Sequence, residues 1–349
     1  MIKVSIVIPV YNAADYLPRC IDSLTSQTLQ ECEFIFVNDG SMDESRAIIE
    51  QRRQDDERII LINQANQGVS VARNSGLKAA RGEYIGFVDA DDYVEREMYE
   101  RLYRTAADRN CDAVFSNLLS ELSGALIETK HPLPQDADLE KPYILEHVLP
   151  LFLKTEELNS ACNKLYRRSL IKEHGIEFPR GVALGEDGMF NVLFLSHAHR
   201  IRYLDYAGYR YCEAIGSATR NASGKDYFAR ALEVFLTPPP HIYDELLGKE
   251  EILSLKSTKL IHSVMANIHI YLDKGNGMGL ASRLSYVSSM VSHREVQRAL
   301  PYYLKERVSS LGRYDKTILL FMQRRFVWGL YLVTGYSRFR NRKSRRVLA

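Results

Sequence analysis

The chain has 349 residues, 46% hydrophobic and 26% charged, with a formal net charge of +2. This is a globular composition with material for a sizeable core, in one large domain or two of ordinary size. The five cysteines, at positions 20, 32, 111, 162 and 212, are widely spaced with no CxxC, which fits reduced cytosolic thiols and argues against a disulfide framework or a zinc site.

No signal peptide is expected, because Met1-Ile2-Lys3 runs straight into an apolar strand over residues 4–10. The spacing of Tyr16, Leu17, Cys20, Ile21 and Leu24 predicts a helix over 15–27. Strands are predicted over 33–38, 59–63, 84–88 and 111–116. Helices are predicted over 43–53, capped by Ser41 or Asp43, over 69–80, closed by Arg81-Gly82 with Gly as C-cap, and over 95–109. This alternation implies βαβ units, that is, an α/β fold with a mostly parallel sheet flanked by helices. Ligands in such sheets bind beyond the carboxyl ends of the strands.

After about residue 118 the alternation fades. A Pro-containing loop covers 131–142, helical patterns follow at 143–154 and 169–174, and a Tyr-rich strand is predicted over 200–211. His197 and His199 read as structural or surface residues, since no Cys or carboxylate sits at ligand spacing beside them. Beyond Ser223 nearly everything reads helical, so the expected domains are 1–220, a helical region 221–316, and an amphipathic segment with basic tail, 317–349. Residues 301–349 hold 12 Lys/Arg against 2 Asp/Glu, a balance of +10, so residues 1–300 carry −8. Such a tail points to an anionic surface: membrane, nucleic acid or an acidic partner. The apolar runs 317–322 and 326–334 are each too short to span a bilayer and are split by Gln323-Arg324-Arg325. The segment therefore reads as a helix lying in an anionic membrane surface.

The chemistry-bearing motifs stand at predicted strand ends. Asp89-Ala90-Asp91-Asp92 follows the strand at 84–88 and suits Mg²⁺ or Mn²⁺ bridging to substrate phosphates. Pro9-Val10-Tyr11-Asn12 ends the first strand, where Tyr11 could stack on a flat base. Asp39-Gly40-Ser41 ends the second, where a carboxylate at a tight turn can accept from a uracil N–H or ribose hydroxyls. Asn66-Gln67-Gly68 leads into a helix bearing Arg73, and a helix N-terminus and an arginine both suit a diphosphate.

These motifs, in this order, resemble the family 2 glycosyltransferases of the GT-A fold. The resemblance is carried by residues 5–12, Val37-Asn38-Asp39-Gly40-Ser41-x-Asp43, the run from Asn66 to Gly76, and the run from Gly82 to Asp92, and continues more weakly through Asn163-Lys164-Leu165-Tyr166 and Gly185-Glu186-Asp187. It implies inverting transfer of a sugar from a nucleotide diphosphate, usually UDP, to a hydroxyl of a glycan or lipid-linked acceptor in bacterial surface-polysaccharide or lipopolysaccharide synthesis. By the family pattern, Pro9, Tyr11, Asn12, Asp39, Asn66, Gly68, Arg73, Asp89, Ala90 and Asp91 line the donor site, with Asp91 holding the divalent metal and Asp89 supporting the ribose or the metal shell. Asp187 is the general base, with Glu186 and Ser217 on the acceptor side.

The sequence departs from the family after Tyr211, where the arginine that many relatives carry before the Gly-Ser step is missing; Ser217 and Arg220 are the remaining candidates there. It also lacks a Gln-x-x-Arg-Trp signature, which favours single addition over polymerisation. A nucleotidyltransferase or sugar-nucleotide hydrolase could share the Asp-x-Asp site, but the loop after the first strand carries no cation. A nucleic-acid partner is not expected, since no such module is recognisable. The expected location is the inner face of a membrane, and the helical C-terminal third could form a homodimer.

Overall fold

Val4–Val10 are buried along almost their whole length, as a strand covered on both faces must be. This strand, β1, pairs in parallel with β2 (Cys32–Asp39) on one side and β4 (Tyr84–Phe87) on the other, and β3 (Ile59–Gln64) extends the parallel set beyond β2. The connections are α1 (Leu17–Thr25), α2 (Ser45–Asp55) and α3 (Val69–Ala79). The computed structural model describes residues 1–122, 125–181, 185–212, 226–273, 277–307, 309 and 311–347.

The chain continues through β5 (Tyr93–Val94), α4 (Met98–Arg109), β6 (Ala113–Leu122), β7 (Ala125–Thr129) and β8 (Asp138–Glu140). Then come α5 (Lys141–Tyr143), a π-helical turn (Ile144–Val148), α6 (Leu149–Lys154), β9 (Lys164–Arg167), α7 (Arg168–Glu173), α8 (Glu186–His197) and β10 (Arg200–Cys212). One sheet results, in the order β3-β2-β1-β4-β9-β6-β10-β5, with β7 on β6 and β8 on β10. Its first half is parallel. β9 then inserts antiparallel between β4 and β6, with Leu165 opposite Gly86 and Lys164 opposite Phe115. The residues preceding Lys164 therefore lie beyond the carboxyl end of β4, the end that carries Asp89.

Close packing places α3 on the sheet. A Cβ on Gly76 would lie 2.3 Å from Val7 Cγ1, so only glycine lets this helix approach β1 so closely. Two local expectations change. The N-cap of α2 is Glu44, and Asp43 instead accepts from the Ser45 and Ala14 amides at 3.0 Å each, which ties the helix start to the turn after β1. The helix α3 ends at Ala80 in an extended conformation, and Gly82 is not its C-cap. A Cβ on Gly82 would sit 2.5 Å from the Ser5 amide nitrogen, so its smallness serves the crossing over β1.

The chain forms two compact units, Met1–Phe152 with Glu156–Ile215, and Leu153–Thr155 with Gly216–Ala349. The second is helical: α9 (Tyr227–Leu236), α10 (Ile242–Leu246), α11 (Lys249–Tyr271), α12 (Leu280–Ser292), α13 (Arg294–Arg307), α14 (Arg313–Gln323) and α15 (Val327–Val347). Its core gathers Ile261, Val264, Ile268, Val287, Met290, Leu300, Tyr303, Met322 and Leu330. Among the described residues no helix is long and apolar enough to cross a membrane. All five cysteines are free and buried, and the His197 ring stacks on His174 at 3.8 Å, a packing role.

Candidate active site

The strand ends converge as the motif positions require. Asn12, in the left-handed region at φ 48°, accepts from the Met42 amide at 2.8 Å, and its own amide donates to Ser41 Oγ at 3.1 Å. Pro9, one register step before the end of β1, sets up this turn, and Tyr11 stands half exposed beside it. Gly40, at φ +75°, lies against Asn66: an added Cβ would be 2.8 Å from the Asn66 amide. Asp39 is buried, and its carboxylate accepts from Gly68 N at 2.8 Å, Gln67 N at 3.0 Å and Gln64 Nε2 at 2.7 Å. Asp39 thus holds the turn that starts α3. Pro9, Tyr11, Asn12, Asp39, Asn66 and Gly68 gather at this one edge.

A second cluster is built around Arg73. Its side chain is only 4% exposed, and its guanidinium donates from Nη2 to Asp89 at 2.8 Å and from Nη1 to Asp187 at 2.6 Å, with Glu186 at 3.4 Å. The group also lies 5.2 Å over the Phe178 ring, and its buried Nε has no hydrogen-bond partner among the described residues. Burial works against the guanidinium's charge, but the three carboxylates outweigh it and raise its pKa further. Asp187 and Glu186 open α8 behind Gly185, which takes φ 90°. The second Asp187 oxygen accepts from the Ala161 amide at 3.0 Å. Burial raises the pKa of Asp187, opposed by Arg73, and burial with the Asp187 charge raises that of Glu186.

The run 89–92 divides its carboxylates between two jobs. Asp92 is 1% exposed and is a structural tie: it accepts from Tyr209 Oη at 2.6 Å and from the Cys212 amide at 2.8 Å, fixing the end of β10 to this loop. Ala90 is buried, while Asp89 keeps 37% side-chain exposure. Burial, then the Asp89 charge, pushes Asp91 up to about 6. Among the described residues no side-chain donor reaches the Asp91 carboxylate, and no three His, Cys, Asp or Glu converge on a ready-made metal cage. Asp89, Glu186 and Asp187 surround the buried guanidinium of Arg73. The Asp91 carboxylate, in no ion pair among the described residues and beside the charge of Asp89, fits a divalent ion that also takes oxygens from a bound phosphate.

Sequence reasoning assigned no role to Lys164. Its ammonium is fully buried, donates to Asn163 Oδ1 at 2.9 Å and to the Ser160 carbonyl, and sits 4.8 Å over the Phe115 ring. Burial pulls its pKa down to about 7. It braces the segment whose Ala161 amide holds Asp187; the sequence signal was its place in the run Asn163-Lys164-Leu165-Tyr166. Ser217 and Arg220 lie outside the described residues.

The family model for glycosyl transferase family 2 matches residues 5–175. The chain is 39% identical over 216 residues to the uncharacterized glycosyltransferase EpsJ of Bacillus subtilis, covering 62% of this chain and 62% of EpsJ. It is 31% identical over 278 residues to EpsH of the same organism, covering 78% of each. Among solved structures, residues 1–349 of S. aureus TarS in complex with UDP-GlcNAc match with a TM-score of 0.59 at 19% identity, over 96% of this chain and 91% of that one. This likeness shows the same GT-A fold. With its motifs gathered at one strand-end edge, and with the match extending over most of EpsH, the chain belongs to glycosyl transferase family 2.

Proposed function

We propose that this chain transfers a sugar from a nucleotide diphosphate sugar, a UDP-sugar, to a hydroxyl of a glycan or lipid-linked acceptor in surface-polysaccharide or lipopolysaccharide synthesis, with inversion at the anomeric carbon. The observation that carries this reading is Arg73, which binds a carboxylate of the strand-end acidic run and a carboxylate of α8 at once. The acidic run that we assign to the donor and the α8 carboxylate that we assign as base are thereby joined within one unit.

At the nucleoside end we assign Tyr11 to stacking on the base, and Asp39 with Asn66 and Gly68 to the base and ribose. Pro9 and Asn12 shape that edge. TarS binding UDP-GlcNAc supports the uridine assignment. Asp91 and Asp89 would hold a divalent cation, Mn²⁺ or Mg²⁺, which supplies charge neutralisation for the departing diphosphate. Asp187 accepts the proton of the acceptor hydroxyl as its oxygen attacks. The new C–O bond forms opposite the breaking bond to phosphate, and the nucleoside diphosphate leaves with that electron pair. Glu186 is assigned to the acceptor side, and so is Ser217 on the family pattern alone. Arg73 orients Asp187 and counters the burial that favours its protonated form. The basic C-terminal stretch supports an acceptor carried by the inner face of a membrane.

The test is nucleoside diphosphate release from a panel of sugar nucleotides with Mn²⁺, Mg²⁺ or EDTA. Turnover of one UDP-sugar that needs metal and is abolished in Asp91→Ala is expected. No turnover or binding of any donor with any metal would contradict the reading, and α-product from an α-linked donor would contradict inversion.

A further inference from the structure

The helical unit leaves a line of large apolar side chains in the open. On α15, Trp328, Leu332 and Tyr336 are 56%, 67% and 66% exposed. Their four-residue spacing puts them on one face of the helix. Phe326, just before the helix, is 48% exposed. The other side of α15 faces inward: Leu330 belongs to the unit's core, and Thr334 is fully buried. Singly exposed apolar residues are ordinary, but an aligned row of aromatic and aliphatic side chains marks a docking surface.

Charge decides what docks. Residues 327–349 contain six Lys/Arg, at 338, 340, 342, 343, 345 and 346, and no Asp or Glu. The exposed Arg324 and Arg325 precede the helix. A second copy of this chain would bring an equally basic helix against the first. A nucleic acid would meet the cations but gains little from Leu332 and the aliphatic part of the row. An anionic bilayer matches both features, since Trp and Tyr settle at headgroup depth and Lys/Arg meet the lipid charge.

We propose that α15 lies in the surface of an anionic membrane, with Trp328, Leu332 and Tyr336 inserted at the interface and the basic end of the chain against the headgroups. The purpose of such docking rests on the reading of a membrane-borne acceptor, but binding itself is measured without turnover.

The experiment is flotation of the full chain with phosphatidylcholine vesicles, with and without phosphatidylglycerol, alongside donor turnover in solution. The wild type is expected to float only with the anionic vesicles and to be released by high salt. Trp328→Ser/Leu332→Ser is expected to lower vesicle affinity about tenfold or more. Arg342→Gln/Lys343→Gln is expected to lower it about fivefold per charge removed. Both variants keep wild-type donor turnover, which separates this proposal from the catalytic one. Absence of wild-type flotation, unchanged flotation of the Trp328/Leu332 variant, or a vesicle-independent dimer that the same substitutions dissociate would overturn it.

Discussion

Arg73 Nη1 stands 2.6 Å from Asp187 Oδ1, joining residues 114 positions apart in sequence. The same guanidinium reaches Asp89, so Asp187 at the start of α8 is tied to the loop that follows β4. Because Arg73 is buried, this contact is screened little by solvent.

Replacing Arg73 by Met therefore has a two-part outcome. The carboxylates of Asp89 and Asp187 lose their cation, and stability falls by the lower end of the ~3–5 kcal/mol typical of a broken buried pair, since Asp89 keeps 37% exposure. Without Arg73, the already raised pKa of Asp187 rises further, so the acidic limb of the kcat profile moves to higher pH. A pH–rate series on wild type and variant checks this. An unmoved limb would show that Arg73 does not act on the base.

Asp91 gives a second pH signature. Its pKa is pushed up to about 6, above the ~3.9 of an unfolded Asp. Its contribution to stability is therefore fully present below the unfolded value and is lost as pH rises through about 6. Added Mn²⁺ is expected to raise the melting temperature more at pH ~7 than at pH ~5, because protons compete with the cation below the raised pKa. The Asp91→Asn variant should lose most of this difference. Equal Mn²⁺ stabilisation at both pH values would count against Asp91 as a ligand.

Gly76→Ala tests the approach of α3 to the sheet. The new methyl would meet Val7 Cγ1 at 2.3 Å, between buried elements with little room to shift. Denaturant unfolding should show a loss of about 1–3 kcal/mol, the usual cost of overpacking. Because α3 carries Arg73, kcat should fall as well. A neutral or stabilising outcome would mean that the helix is free to move outward.

Much of the fold was legible because buried parallel strands are nearly continuous apolar runs: Val4–Val10 agrees with its predicted bounds, β2 runs one residue further at each end, and β3 one residue further at its carboxyl end. The antiparallel β9 was not legible: at four residues, Lys164–Arg167 is too short for a periodic signal, and its partners β4 and β6 are far away in sequence. Gly82 was read as a helix cap because a glycine after a helix usually is one, whereas its proximity to Ser5 is a tertiary fact. The gathering of Pro9, Asp39 and Asp89 could be anticipated because each stands at the end of a strand of the parallel set. The split of 89–92 into the exposed Asp89 and the buried tie Asp92 could not, since it depends on Tyr209 and Cys212 arriving from β10.

The most direct test of the account is Asp187→Asn, measured for UDP-sugar binding by calorimetry and for sugar transfer in the presence of acceptor. Donor affinity within a few-fold of wild type is expected, with a kcat about 10²–10⁴-fold lower, the usual contribution of a general base. Transfer at a near wild-type rate would contradict it, because the carboxylate that Arg73 and Ala161 hold in place would then not be the group that takes the acceptor's proton.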